Sequence, residues 1–154
     1  MSLRAQLTDA MKEAMKAKDA KRLATVRLML AALKDRDIAA RSETSRELLG
    51  DDEILTLLAK MIKQREESAL AFDTGNRPEL AAGEREEIAI IRSFMPAQMD
   101  EAAMKEAVKK VIAETGAASI KDMGKVMAVL KERFAGQMDF SKASAATKDA
   151  LSGK

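Results

Sequence analysis

Apolar residues recur at three- and four-residue intervals along almost the whole chain, the period of helices rather than strands. Leu3, Leu7, Met11, Ala14 and Met15 make one face of a helix over 3–18. Asp19 is placed to cap a second helix over roughly 20–40. The centre of that helix, Val26 to Leu33, is apolar nearly all round apart from Arg27, so its neighbours are expected to enclose it. Residues 41–50 are polar and read as a connector, with Thr44 and Glu47 spaced as a capping box. Asp51 or Asp52 then caps a long helix to about Ala71, with Ile54, Leu57, Leu58, Met61, Ile62, Ala69 and Phe72 as its apolar stripe. Residues 73–82 read as a loop around Gly75 and Pro78, and a fourth helix runs from about Gly83 to Phe94 on Ile88, Ile91 and Met95.

Pro96 stops that helix, because proline disfavours a helical residue before it, and the domain boundary is placed there. Asp100 caps a helix to about Thr115, with Met104, Val108, Val111 and Ile112 inward and Gly116 ending it. Ser119-x-x-Asp122 opens a helix to about Phe134, Gly136 follows it, and Ser141 caps a short last helix to Leu151. The pattern therefore predicts an all-α chain. Residues 1–95 form an N-terminal helical hairpin or bundle of about four helices, and residues 96–154 a compact three-helix tail domain.

Composition strengthens the all-α reading. Aromatic residues make up only 3% of the chain, and 11 Met with long runs of Ala take their place. There is no His and no Cys, which removes disulfides, thiolate or imidazole metal sites, and Ser-His or Cys-His catalysis. No metal or cofactor is expected. The longest apolar runs, such as Leu28–Leu33, fall well short of the about 20 residues a membrane span needs. With no secretory h-region at the start, a cytoplasmic protein is expected. Net charge is +2, too modest for a dedicated nucleic-acid binder, but it is unevenly spread. Residues 1–50 carry 11 basic and 7 acidic groups, residues 51–95 carry 6 and 10, and residues 96–154 carry 10 and 8.

Two groups of charged residues stand out. At 100° per residue, Arg65 falls 20° from Ile54, in the middle of the apolar stripe of the third helix. Arg27 is embedded in the apolar centre of the second helix, and Glu84 lies one turn before Ile88 with Glu87 beside it. Charges on core faces need partners. A buried polar network of Arg27, Arg65, Glu84 and Glu87 is expected, as a structural ion pair or, less favoured, a ligand site. The second group surrounds Gly124, which costs on the order of 1 kcal/mol inside a helix relative to Ala. Either Gly124 lets a neighbouring tail helix pack closely, the favoured reading, or it opens a nucleic-acid-binding face. Lys121 and Lys125 share one face at i, i+4 spacing, and with Lys131 and Arg133 they form a candidate phosphate-binding patch.

Several segments resemble a known family. Ser119-Ile-Lys-Asp-Met-Gly-Lys-Val-Met127, the preceding Met95-Pro96 step, and Gly136-Gln-Met-Asp-Phe140 resemble the tail of the B subunit of the Asp/Glu-tRNA amidotransferase. Met11-Lys-Glu-Ala-Met-Lys16, Val26-Arg-Leu28, Lys63-Gln-Arg-Glu-Glu-Ser68, and Glu84 with Glu87 resemble the YqeY proteins, which join such a tail to a helical region of their own. The chain is thereby similar to the GatB/YqeY family over nearly its whole length. Met95 stands where the family usually has Leu before the proline, a swap that conserves volume.

The resemblance implies a bacterial-type, tRNA-associated binding or adaptor protein whose tail helps hold tRNA. It implies tRNA, an aminoacyl-tRNA synthetase or an amidotransferase as partners. It also carries a carbon–nitrogen ligase label with glutamine as amide donor. The catalytic cradle of the amidotransferase and the amidase signature have no counterpart in this chain, so that label reads as inherited and an autonomous enzyme is not expected. A pure protein-interaction module is the remaining alternative.

Overall fold

A computed structural model describes residues 2–41 and 48–153, and every regular element among them is helical. The Thr44–Glu47 capping box lies outside the described residues. Contacts divide the chain into two units, Met1–Met95 and Pro96–Lys154.

The first unit holds α1 (Leu3–Lys16), α2 (Ala20–Ala40), α3 (Asp51–Thr74) and α4 (Pro78–Arg92). The start of α1 is held twice. The Ser2 hydroxyl accepts from the Ala5 N–H at 3.2 Å, and the Asp51 carboxylate accepts from the Leu3 N–H at 3.0 Å. Asp51 therefore does not cap its own helix, as the sequence suggested; Gly50 precedes α3 with no side-chain cap, and Asp51 caps α1 from across the bundle. Asp19 caps α2 as expected, accepting from the Arg22 N–H at 3.1 Å. Helices α3 and α4 are each longer than expected, and the loop between them shrinks to three residues. Asn76 takes a left-handed turn at φ 59°, and Pro78 starts α4, where its missing N–H has no consequence.

The core of this unit gathers Leu3, Leu7, Met29, Leu33, Ile54, Leu58, Met61, Ile88 and Ile91. Phe72 is only half-buried and Met15 is 50% exposed, so the stripe of each helix is narrower than its apolar content suggested. The larger correction concerns α2. Its buried residues are Thr25, Val26, Met29, Leu33 and Asp37, all within one arc of the helix. Leu28 is 47% exposed and Ile38 49% exposed. The neighbours of α2 cover one side of it only, and the second apolar stripe faces outward.

The second unit holds α5 (Glu101–Thr115), a 3-10 turn (Ile120–Asp122), α6 (Met123–Arg133) and α7 (Phe140–Leu151). Asp100 accepts from the Ala103 N–H at 2.7 Å, and Gly116 ends α5 in the left-handed region at φ 68°. Ser141 is not the cap of α7; Asp139 is, accepting from the N–H groups of Ser141 and Lys142 at 2.8 and 3.4 Å. Met104, Val108, Val111, Val126, Leu130 and Met138 form the core, with Ala143 and Thr147 closing it from α7. The Thr147 hydroxyl donates back to the Ala143 carbonyl at 2.8 Å, so its burial leaves no polar atom unsatisfied. No helix among the described residues is long and apolar enough to cross a membrane.

Candidate functional site

In the first unit the structure brings Arg65 and Glu87 together. Arg65 Nε lies 2.9 Å from Glu87 Oε2, with the side chains 16% and 23% exposed. The second oxygen of Glu87 faces Lys21 Nζ at 3.6 Å, so this carboxylate is shared by two cations from two helices. Lys21 also meets Glu86 at 3.9 Å. The rest of the expected network does not assemble. Arg27 projects from the exposed side of α2, because the buried arc of that helix runs through Val26 and Met29 instead. Glu84 is half-buried and makes no ion pair among the described residues. Lys21, absent from the sequence reading, takes the place assigned to Arg27.

The most buried charge in this unit was not anticipated. Asp37 is 6% exposed and receives a two-pronged grip from Arg4, at 2.8 and 2.9 Å. Its Oδ1 also accepts from the Leu49 N–H at 3.1 Å, while Arg4 donates to the Leu49 carbonyl at 3.2 Å. The Arg4 hydrogen bonds hold the Asp37 carboxyl below the usual carboxylate range, with the Leu49 N–H adding to this and burial opposing it. The same contact raises the Arg4 guanidinium. This clasp ties α1, α2 and the approach to α3 into one arrangement. A signal for it existed in the sequence, since Asp37 continues the Met29–Leu33 stripe by one more turn.

An open groove of about 720 Å³ lies between α3 and α4, over Ala69, Leu70, Ile88 and Ala89. Arg92–Glu66 at 2.9 Å and Arg85–Asp73 stand on its rim, each cation already paired. Arg85 holds the exposed Asp73 carboxyl below its usual range.

In the second unit the residues of the expected basic patch are divided between the 3-10 turn, which holds Lys121, and α6, which holds Gly124, Lys125, Lys131 and Arg133. Lys121, Gly124, Lys125, Lys131 and Arg133 are all exposed. A Cβ added at Gly124 would meet nothing within 4 Å. The reading in which Gly124 lets a tail helix pack closely is therefore corrected: α5 and α7 pack on the opposite, Val126–Leu130 side of α6. The five positions are not equivalent. Arg133 is turned away to Glu114. Lys125 donates to the Thr115 carbonyl at 3.3 Å, helping to finish α5. Lys121 and Lys131 make no ion pair among the described residues. Asp122, between Lys121 and the glycine, is occupied by backbone. It accepts from the N–H groups of Ala118 and Ser119 at 2.9 and 3.3 Å, which lowers its carboxyl below the usual range, with a smaller contribution from Lys125. Asp122 is thus already satisfied, and Lys121 and Lys131 are left facing water.

A family model described as Yqey-like protein matches residues 4–151, nearly the full chain. The chain belongs to the Yqey-like protein family. Among curated proteins of known name, it is similar to "Altered inheritance of mitochondria protein 41, mitochondrial" of several yeasts. It is 33% identical to the Saccharomyces cerevisiae protein over 85 residues, 55% of this chain and 44% of the yeast protein. With the Lachancea thermotolerans protein it is 35% identical over 91 residues, 59% of this chain and 46% of that one. The Candida glabrata protein is 29% identical over 85 residues. The chain spans less than half the length of these relatives. Their names assign them to mitochondria and state no activity.

As for chemistry, no group of three or more acidic residues among those described could hold a metal ion, and the chain has no His or Cys. The carboxylates closest to burial, Asp37 and Glu87, are each gripped by an arginine. What the YqeY-like surface offers is exposed cations on α6 and exposed apolar positions on α2, α3 and the 3-10 turn.

Proposed function

We propose that this YqeY-like protein is a tRNA-associated binding or adaptor protein, with the solvent face of α6 as its phosphate-contacting surface. The observation that carries the reading is Gly124. Gly124 is the second residue of α6, so it costs the helix less than the roughly 1 kcal/mol of an interior glycine, and it leaves an exposed face without a side chain. Among the described residues nothing lies within 4 Å of a Cβ placed there. That space is bordered by Lys121 and Lys125, with Lys131 two turns further along. A backbone phosphate can approach such a position closely, and the lysines supply the charge. The likeness of Ser119–Met127 to the tRNA-holding tail of the amidotransferase supports RNA over other polyanions. Contact with phosphates through three lysines gives modest, salt-sensitive binding and no reading of base sequence. The role is one of holding rather than chemistry, in keeping with the engagement of Asp37 and Glu87 by arginines.

Filter binding of tRNA at physiological salt, with an unrelated structured RNA beside it, tests the reading. Lys121→Ala with Lys125→Ala is expected to weaken binding and to flatten the salt dependence by about one unit of slope per lysine. Affinity and slope that do not move with these substitutions refute the α6 face as the contact.

A further inference from the structure

The outward stripe of α2 has a regularity that its core-facing side does not need. Ala24, Leu28, Ala31, Asp35 and Ile38 are all exposed, and their spacing alternates four, three, four and three. That is the 3.5-residue repeat of a coiled-coil seam. Large residues at 28 and 38 alternate with small ones at 24 and 31, which leaves room for side chains from a facing helix. Along one flank of the seam stand two cations seven residues apart, Arg27 and Lys34. Both are exposed, and neither makes an ion pair among the described residues. The opposite flank carries Ala32 and Ala39; Lys21 at its start is engaged by Glu86 and Glu87, and Arg36 lies further round the helix.

We propose that this face of α2 docks a separate amphipathic helix bearing an apolar seam and a flanking row of acidic residues. The spacing selects a helix, since a repeat of 3.5 matches only another helix wound beside it. The cation row selects the charge. At about 1.5 Å per residue, cations seven apart stand roughly 10 Å from one another, the distance between equivalent flanking positions on a partner helix. Asp35, at a seam position, meets a cation from the partner and fixes the register. A second copy of the chain does not fit. Placed antiparallel, it sets the cation row against itself; placed parallel, it sets Asp35 against Asp35. RNA has no use for Leu28 and Ile38, and an anionic lipid surface is told apart by the vesicle arm of the test below. The α3–α4 groove lacks this selectivity, because its rim charges are already neutralised by each other.

The test uses the full chain and two synthetic helical peptides. Both have Leu at every seam position apart from one Lys. One carries Glu at the flanking positions and the other Lys. Fluorescence anisotropy is expected to show binding of the Glu-flanked peptide, weakening as salt rises, and at least about tenfold weaker binding of the Lys-flanked one. Arg27→Glu with Lys34→Glu is expected to invert that preference. Leu28→Ser with Ile38→Ser is expected to abolish binding, while far-UV circular dichroism stays unchanged because all four positions are exposed. Equal binding of the two peptides, or binding of neither, overturns the proposal with no variant needed. Binding of phosphatidylglycerol vesicles that is lost in the same variants, without binding of the Glu-flanked peptide, assigns the face to a membrane and overturns it as well.

Discussion

Replacing Asp37 by Ala removes the hub of the Arg4 clasp. Two short hydrogen bonds from Arg4 at 2.8 and 2.9 Å disappear, together with the acceptor of the Leu49 N–H at 3.1 Å. What remains is an arginine without its counter-charge and a backbone donor facing the cavity left behind. Breaking a fully buried ion pair from one side costs about 3–5 kcal/mol. The Arg4 side chain is 28% exposed and can turn its head to water, which lowers the cost to about 2–3 kcal/mol. For a unit of the size of Met1–Met95, this corresponds to a melting transition lower by roughly 8–24 °C. Arg4→Ala is expected to cost at least as much, because it leaves the more deeply buried partner charged and alone. The double variant is then expected to be no worse than either single one, giving a coupling of about 2 kcal/mol in a double-mutant cycle read by urea unfolding. Asp37→Ala within about 0.5 kcal/mol of the parent, or a coupling near zero, refutes the view that this clasp holds α1, α2 and the start of α3 together.

The remaining predictions concern acid, the smaller pair, a cap and the glycine. Asp37 is held below the usual carboxylate range, so its contribution is complete above the unfolded value near pH 4 and is lost as pH falls through its lower folded value. The stability difference between parent and Asp37→Ala is therefore expected to be constant from about pH 5 to 8 and to shrink on acidification below about pH 4; a gap that stays constant into strong acid contradicts this. Arg65→Ala is expected to cost about 1 kcal/mol through Glu87, and Arg27→Ala less than about 0.5 kcal/mol; equal losses on denaturation would put Arg27 back in the network. Asp51→Ala is expected to lower stability by about 1 kcal/mol by uncapping α1, and an unchanged urea midpoint refutes that role. Gly124→Ala is expected to raise stability by up to about 1 kcal/mol, since no atom obstructs the added methyl, while weakening RNA binding; a variant that gains neither stability nor loses affinity removes the argument from Gly124.

The helices were legible because periodicity, capping residues and breakers agree along most of this chain. Leu3, Leu7, Ile54, Leu58, Ile88, Met104 and Val108 all fall where the apolar spacing put them. Errors arose where one local signal had two outlets. Asp51 sits where a cap of α3 should be, but an aspartate at a helix start can equally serve another helix nearby, and here it serves Leu3. Ser141 has the right chemistry for a cap, yet Asp139 two residues earlier reaches the same N–H groups with a charged acceptor. Asp37 was overlooked because charged residues are presumed to be outside; its position on the stripe and the arginine at position 4 are separated by 33 residues, and no local rule joins them. Arg27 was misassigned because a helix with two apolar stripes looks the same, from sequence, as a helix buried on all sides. Only the placement of α1, α3 and α4 on one side of α2 tells the two apart.

That ambiguity in α2 also explains why the chain has two surfaces of different character. Several surface charges of the first unit are paired within it: Lys21 with Glu86 and Glu87, Arg85 with Asp73, Arg92 with Glu66. Others make no ion pair among the described residues, and of these Arg27 and Lys34 stand beside the apolar seam of α2. In the second unit Arg133 and Lys105 are paired, and the exceptions include Lys121 and Lys131 beside Gly124. Cations left without partners next to uncovered apolar or glycine positions are costly to keep in neither case, since water solvates them; they are simply available. The two faces differ in what lies beside the charge. Leu28 and Ile38 reward burial against another apolar surface, whereas Gly124 rewards close approach of a backbone and gains nothing from apolar contact. An adaptor needs this combination, one face for a nucleic acid and one for a protein. Because the faces lie on separate units, Lys121→Ala with Lys125→Ala and Arg27→Glu with Lys34→Glu can each be read against the other's ligand. If the adaptor reading is right, each pair of substitutions weakens its own ligand and leaves the other's affinity unchanged; a pair that weakens both shows one shared polyanion surface instead.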